Sequence, residues 1–173
     1  MFSKKWTKLK YTFFASRIGM LGFAATDNGI CRLDLNVDPS FFGNELENRY
    51  HCRAVEDDTF FSRMKEDLHG YFGGSVRRFN SSIDFIEGTD FQRKVWRTLM
   101  KIPYGQVRSY AWVAKEIGRP KAVRAVGQAN GRNPVAIIVP CHRVINSDGG
   151  LGGYGSGLEV KEQLLRIEGV TLS

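Results

Sequence analysis

Short apolar runs bounded by turn residues mark the first part of the chain, and apolar positions at helical spacing mark the rest. Residues 11–15 (YTFFA), 20–26 (MLGFAAT) and 30–35 (ICRLDL) have the length and composition of strands. Asp27-Asn28-Gly29 separates the second from the third; Asn and Gly tolerate positive φ there, so the runs predict an antiparallel meander. Over Asp57–Phe72 the period becomes helical. Phe60, Met64, Leu68 and Tyr71 or Phe72 share a stripe, Asp57 or Asp58 can cap the start, and Gly73 the end. Residues 80–88 predict a last strand and a linker.

Helical spacing then dominates. Thr89-Asp90-Phe91-Gln92 has the capping-box pattern and opens a helix whose buried stripe is Phe91, Val95, Trp96 and Leu99, stopped by Pro103. Ser109 can cap a helix over Tyr110–Ile117 that Gly118 ends. Pro120, at a first-turn position, opens another over Lys121–Asn130. Two short helices joined by a tight glycine-containing turn predict a helix-turn-helix, although an ordinary helix corner shares the pattern. Val135–Val139 (VAIIV) has the length of a buried strand, closed by Pro140. A glycine-rich loop follows (Gly149, Gly150, Gly152, Gly153, Gly155). A final helix over about Leu158–Glu168 buries Val160, Leu164 and Ile167, with Gly169 as its C-cap.

Composition narrows the class. At 173 residues, 42% hydrophobic and 25% charged, the chain is globular in character, which excludes wholesale disorder, a fibrous chain and a repeat array. No apolar run approaches the roughly 20 residues of a membrane helix. The basic start, MFSKKWTKLKYTFFAS, lacks the apolar core and cleavage site of a secretory signal. A cytoplasmic protein is expected, nucleoid-associated if bacterial, and nothing demands more than a monomer. The net charge of +7 has an address: residues 101–143 hold Lys101, Arg108, Lys115, Arg119, Lys121, Arg124, Arg132 and Arg143 against Glu116 alone, and the other 130 residues balance at 17 against 17. A charge run is usually a solvated face, but an excess confined to the predicted helix pair points to a polyanion-binding surface. Ala122, Ala125, Gly127 and Ala129 let the second helix lie close to a duplex, or equally pack against a neighbour.

Three widely spaced cysteines without a secretion signal argue against a disulfide framework. Cys31 reads as a core residue within ICRLDL. Cys141 sits just past an apolar run, after a proline, beside His142 and Arg143, where a reactive thiol would be placed, since nearby charge or a base raises the thiolate fraction. Glu168 falls at the negative end of a helix dipole, either as an exposed acid or with a partner that offsets the cost. His142 is a candidate partner, giving a Cys–His–Glu relay in which water can bridge thiol and imidazole.

Residues 88–169 resemble the O6-methylguanine-DNA methyltransferase family, through GTDFQRKVW (88–96), IPYGQVRSY (102–110), GRPKAVRAVGQANGRNP (118–134), IVPCHRVI (138–145), GGYGSGLEVKEQLL (152–165) and IEG (167–169). PCHRV and RAVGxANxxNP in this order are highly specific. The resemblance implies an α+β protein with a small N-terminal antiparallel-sheet domain carrying a helix (1–87, ribonuclease H-like). A mainly helical DNA-binding and alkyl-acceptor domain with the helix-turn-helix follows (88–173). The length is similar to the single-function form without a metal-binding sensor module.

The implied activity is direct-reversal repair, an irreversible, once-only transfer of an alkyl group from O6-alkylguanine, or also O4-alkylthymine, in double-stranded DNA to Cys141. His142 would act through water as base, Glu168 would orient it, Tyr110 would donate a proton to the leaving guanine, and Asn133 would brace the turn holding the cysteine. Arg124 would fill the space of the flipped base as the helix 120–130 enters the minor groove. Ser109, Lys121, Ala122 and Gly127 would contact DNA, and the Val144 carbonyl with Tyr154, Gly155 and Ser156 would line the base pocket. Gly155 stands where many members have serine, which leaves only a backbone N–H for that contact. No cofactor and no metal are expected: Cys31, His51, Cys52 and His69 match no compact zinc spacing. Two rival readings are a non-catalytic relative that flags alkylated DNA, which the presence of Cys141 disfavours, and a helix-turn-helix regulator in which Cys141 is structural.

Overall fold

The computed structural model describes residues 8–171; the basic start at residues 1–7, on which part of the secretory reading rests, lies outside them. The chain divides into two compact units, one ending at Asp84 and the other beginning at Phe85.

In the first unit, β1 (Lys8–Ser16), β2 (Gly19–Thr26) and β3 (Gly29–Leu35) form the expected antiparallel meander. The register sets apolar residues opposite one another: Phe14 pairs with Leu21 and Phe23 with Leu33, all buried, and β2 is buried without a break from Leu21 to Thr26. Two elements are additional. Helix α1 (Pro39–Tyr50) starts at Asp38, whose carboxylate accepts the Ser40 N–H at 2.9 Å, but buries only Phe42 and Leu46. Strand β4 (Arg53–Glu56) pairs parallel to β1, so the sheet is mixed, in the order β3-β2-β1-β4.

The helix expected over Asp57–Phe72 begins as a 3-10 turn (Thr59–Phe61), with the Phe60 N–H on the Asp57 carboxylate at 3.0 Å, and continues as α2 (Ser62–Phe72). The tighter turn shifts the stripe: Phe61 enters the core and Phe60 is 46% exposed. Residues 80–88 form no strand, only a bridge from Ile83 to Ile30. Nearby, the buried Thr26 hydroxyl donates to Asp84 at 2.6 Å.

In the second unit, α3 (Asp90–Leu99) opens with the reciprocal capping box, Gln92 N–H to Thr89 Oγ1 at 3.2 Å and Thr89 N–H to Gln92 Oε1 at 2.8 Å. Phe91 is only half-buried, whereas Val95, Trp96 and Leu99 lie inside. Strand β5 (Arg108–Ser109) leads into α4 (Tyr110–Glu116), where Ser109 Oγ accepts the Trp112 N–H at 3.0 Å. Helix α5 (Val123–Gly131) starts later than Pro120 suggests, because the Ala122 N–H closes a turn onto the Arg119 carbonyl at 2.8 Å and no side chain caps the helix. The Trp96 indole N–H donates to the Ala129 carbonyl at 2.8 Å, tying α3 to α5, and α4 packs against both.

The VAIIV run is not a strand. All five residues are buried, yet the chain coils: Ile137 has φ +68°, and the Val139 N–H returns to the Val135 carbonyl at 3.0 Å. Asn133 is the cause. Its amide donates to the Val139 carbonyl at 2.8 Å while its Oδ1 accepts the Val135 N–H at 3.0 Å, drawing both ends of the run to one side chain. A 3-10 turn (Cys141–Arg143) follows, then β6 (Val144–Ile145), parallel to β5. Helix α6 (Leu158–Ile167) buries Lys161, Leu164 and Leu165; Val160 and Ile167, expected in the core, are only half-buried. Gly169, at φ +75°, ends the helix, with the Val170 N–H on the Leu165 carbonyl at 2.9 Å.

Candidate functional site

Three side chains per turn separate Cys141, His142 and Arg143 by roughly 120° each, so the adjacent Cys and His point in different directions. Cys141 is 5% exposed. Its carbonyl accepts the Asn130 amide at 3.2 Å, and its Sγ lies 4.0 Å from Tyr154 Oη. Burial pushes the thiol pKa up; the Asn133 and Tyr154 side chains and the Lys161 charge pull the other way without cancelling it. The resting group is a thiol and needs a base.

His142 is fully buried, with Nε2 2.8 Å from Glu168 Oε1. Arg143 grips the same carboxylate, Nε to Oε2 at 2.8 Å and Nη2 to Oε1 at 3.0 Å, and the Gly105 N–H adds a donor at 3.2 Å. Burial raises the Glu168 pKa, but the hydrogen bonds and charges of His142 and Arg143 outweigh it and hold the group at about 2. Arg143 thus offsets the unfavourable dipole of the α6 C-terminus. A carboxylate only accepts, so His142 Nε2 carries the hydrogen and Nδ1 is bare. Burial lowers the His142 pKa and leaves the ring neutral at rest. A buried thiol beside a neutral imidazole backed by a carboxylate can lose its proton on demand and attack an electrophilic carbon.

Tyr110 opens α4 half-buried, its hydroxyl donating to the Gly153 carbonyl at 3.3 Å. Burial raises its pKa, with the Cys141 charge adding to the effect. Gly152, at φ +69°, lies so close that a Cβ would sit 2.9 Å from the Tyr110 ring, which brings the glycine loop against it. Tyr154 and Ser156 are half-buried and Gly155 is exposed. Ser109 pairs with Ile145 beside the site. Lys121 and Arg124 are solvent-exposed, apart from the buried cluster; Ala122 and Gly127 are half-buried, Gly127 facing the Tyr110 ring.

Sequence reasoning missed Lys161. It is fully buried, and its ammonium donates to the Val144 carbonyl at 2.6 Å and to the Leu151 carbonyl, tying both flanks of the glycine loop to α6. Burial lowers its pKa to about 8, opposed by the Cys141 charge. The signal was its place on the Lys161–Leu164–Leu165–Glu168 stripe. Among the described residues, no three His, Cys, Asp or Glu side chains gather as metal ligands, and no helix is long and apolar enough to cross a membrane.

Fold and site together fit the class of thiol-based transferases: a buried thiol next to a paired imidazole and carboxylate, in the same unit as two short packed helices. Residues 90–170 match the family described as 6-O-methylguanine DNA methyltransferase, DNA binding domain, and residues 9–85 match its ribonuclease-like domain. The methylated-DNA–protein-cysteine methyltransferase of Methanosarcina acetivorans is 44% identical over 159 residues, 92% of this chain and 97% of that protein. That of Mycobacterium bovis is 52% identical over 154 residues, 86% and 93% of the two chains. The crystal structure of Mycobacterium tuberculosis OGT in complex with DNA superposes with a TM-score of 0.78 at 42% identity, covering 92% of each chain. The chain belongs to the 6-O-methylguanine DNA methyltransferase family. Its activity is that of the family, direct-reversal DNA repair by alkyl transfer to a protein cysteine.

Proposed function

We propose that Cys141 is the acceptor, that His142 removes its proton through water, and that Glu168 holds the imidazole and stabilises its charged form. The observation that carries this reading is the buried His142–Glu168 contact of 2.8 Å directly after a buried thiol. The substrate is double-stranded DNA carrying O6-alkylguanine, taken by a monomer in the cytoplasm, at the nucleoid in a bacterium. The target atom lies inside the duplex, so the base is flipped out. Helix α5 enters the minor groove, Arg124 fills the gap left by the base, and Lys121 with the surrounding basic residues supplies contacts to phosphate that carry no sequence information.

In the pocket, the Val144 carbonyl and the Tyr154–Ser156 loop face the flipped base, and Asn133 braces the coil that presents the cysteine. The Cys141 sulfur forms a bond to the alkyl carbon as the carbon–oxygen bond to guanine breaks. Tyr110 supplies the proton that the departing guanine gains. The thioether has no easy leaving route, so each molecule acts once. Residues 1–87 form the N-terminal domain and 88–173 the acceptor domain. Recovery of unmodified guanine in a duplex that a restriction enzyme cuts only after repair tests the assignment. Wild type restores cutting stoichiometrically, and Cys141→Ala binds the duplex but restores none; cutting restored by Cys141→Ala would overturn it.

A further inference from the structure

Two buried side-chain nitrogen or oxygen atoms among the described residues lack a hydrogen-bond partner, Asn130 Oδ1 and His142 Nδ1. Asn130 is 3% exposed and His142 0%, so leaving either unmade is costly. Both are acceptors. The Cys141 carbonyl accepts from Asn130 Nδ2 at 3.2 Å, which fixes the amide with Oδ1 turned elsewhere. The Glu168 carboxylate fixes the hydrogen of His142 on Nε2. Both also border one peptide unit: the Asn130 amide holds the carbonyl of the peptide that joins Cys141 to His142. A single water has two hydrogens for two such acceptors and an oxygen lone pair left over. Direct donation from the thiol to Nδ1 would satisfy one of them and strand the other.

We propose that Asn130 is a positioning residue for alkyl transfer: its Oδ1 and His142 Nδ1 hold one water by its two hydrogens and turn the water's oxygen toward the Cys141 thiol. The inference rests on the reading of Cys141 as acceptor and His142 as base. In the step, the thiol proton passes to the water oxygen while the water hydrogen on Nδ1 passes to the imidazole, so water is regenerated. The freed sulfur electron pair forms the sulfur–carbon bond, and guanine leaves with the pair of the broken carbon–oxygen bond. Asn130 lies on α5, so the helix proposed to meet DNA also orients the proton relay.

The test is the pH profile of single-turnover methyl transfer from an O6-methylguanine duplex, at saturating protein, for wild type and Asn130→Leu. The variant is expected to lose roughly tenfold or more near pH 7 and to come within about twofold of wild type near pH 10, where the thiolate forms without a relay. A loss that is the same at every pH, or no loss, overturns the proposal. Wild-type NMR decides it independently of whether the variant folds. Nuclear Overhauser contacts from a long-lived water to the Asn130 amide hydrogens and to the His142 ring support it, and their absence at both overturns it. Failure of the underlying reading is distinct: wild type itself then transfers no methyl at any pH.

Discussion

Glu168 ends a helix where the dipole disfavours it, and Arg143 and His142 keep it ionised there. Its pKa falls from 4.5 to about 2 on folding. A lowered carboxylate pKa gives stability that is fully present above the unfolded value and lost as pH falls through the folded one. Stability is therefore expected to drop by about 3 kcal/mol between about pH 4.5 and pH 2 from this group. Urea denaturation across that range checks it against Glu168→Gln, which should be less stable at neutral pH and lack this part of the acid slope; equal slopes would contradict the assignment. At this scale the His142–Glu168 pairing was legible, because a proline, an apolar run and a helix end mark the places of Cys141, His142 and Glu168 locally. Lys161 and Asn130 were not, since a lysine or asparagine in a helix reads as solvated until tertiary carbonyls claim it.

Elements were legible where their causes are local. The capping box at Thr89 and the cap at Ser109 appear as read, and the meander follows from three short apolar runs and the Asn28-Gly29 turn. The VAIIV run was misread because apolar content specifies burial but not direction, and a side chain outside the run, Asn133, sets the direction. Helix α1 escaped because only Phe42 and Leu46 mark its buried face, and β4 because none of its four residues is fully buried. Thr89→Ala is expected to cost about 1 kcal/mol by loss of the cap at the Gln92 N–H. Chemical denaturation measures this, and methyl transfer at a temperature well below unfolding should be unchanged; a stability change near zero would show that Gln92 alone holds the helix start.

For the whole molecule, the charge excess of +7 lies within residues 101–143, which contain α4, α5 and the thiol. Binding through phosphates releases counterions, so duplex affinity should fall linearly in logarithmic plots as salt rises, whereas reaction with a free-base substrate should be nearly flat. Arg124→Ala separates flipping from chemistry: it should slow repair of duplex DNA by roughly tenfold or more and leave reaction with free O6-alkylguanine within about twofold. Equal losses would remove the flipping role.

The most direct test of the central claim is peptide mass mapping after incubation with a molar excess of duplex carrying O6-methylguanine. The expected result is one methyl per chain, on the peptide containing Cys141, with Cys31 and Cys52 unmodified and no methyl on Cys141→Ala. A methyl elsewhere, more than one per chain, or an unmodified protein that still binds the lesion tightly would contradict it.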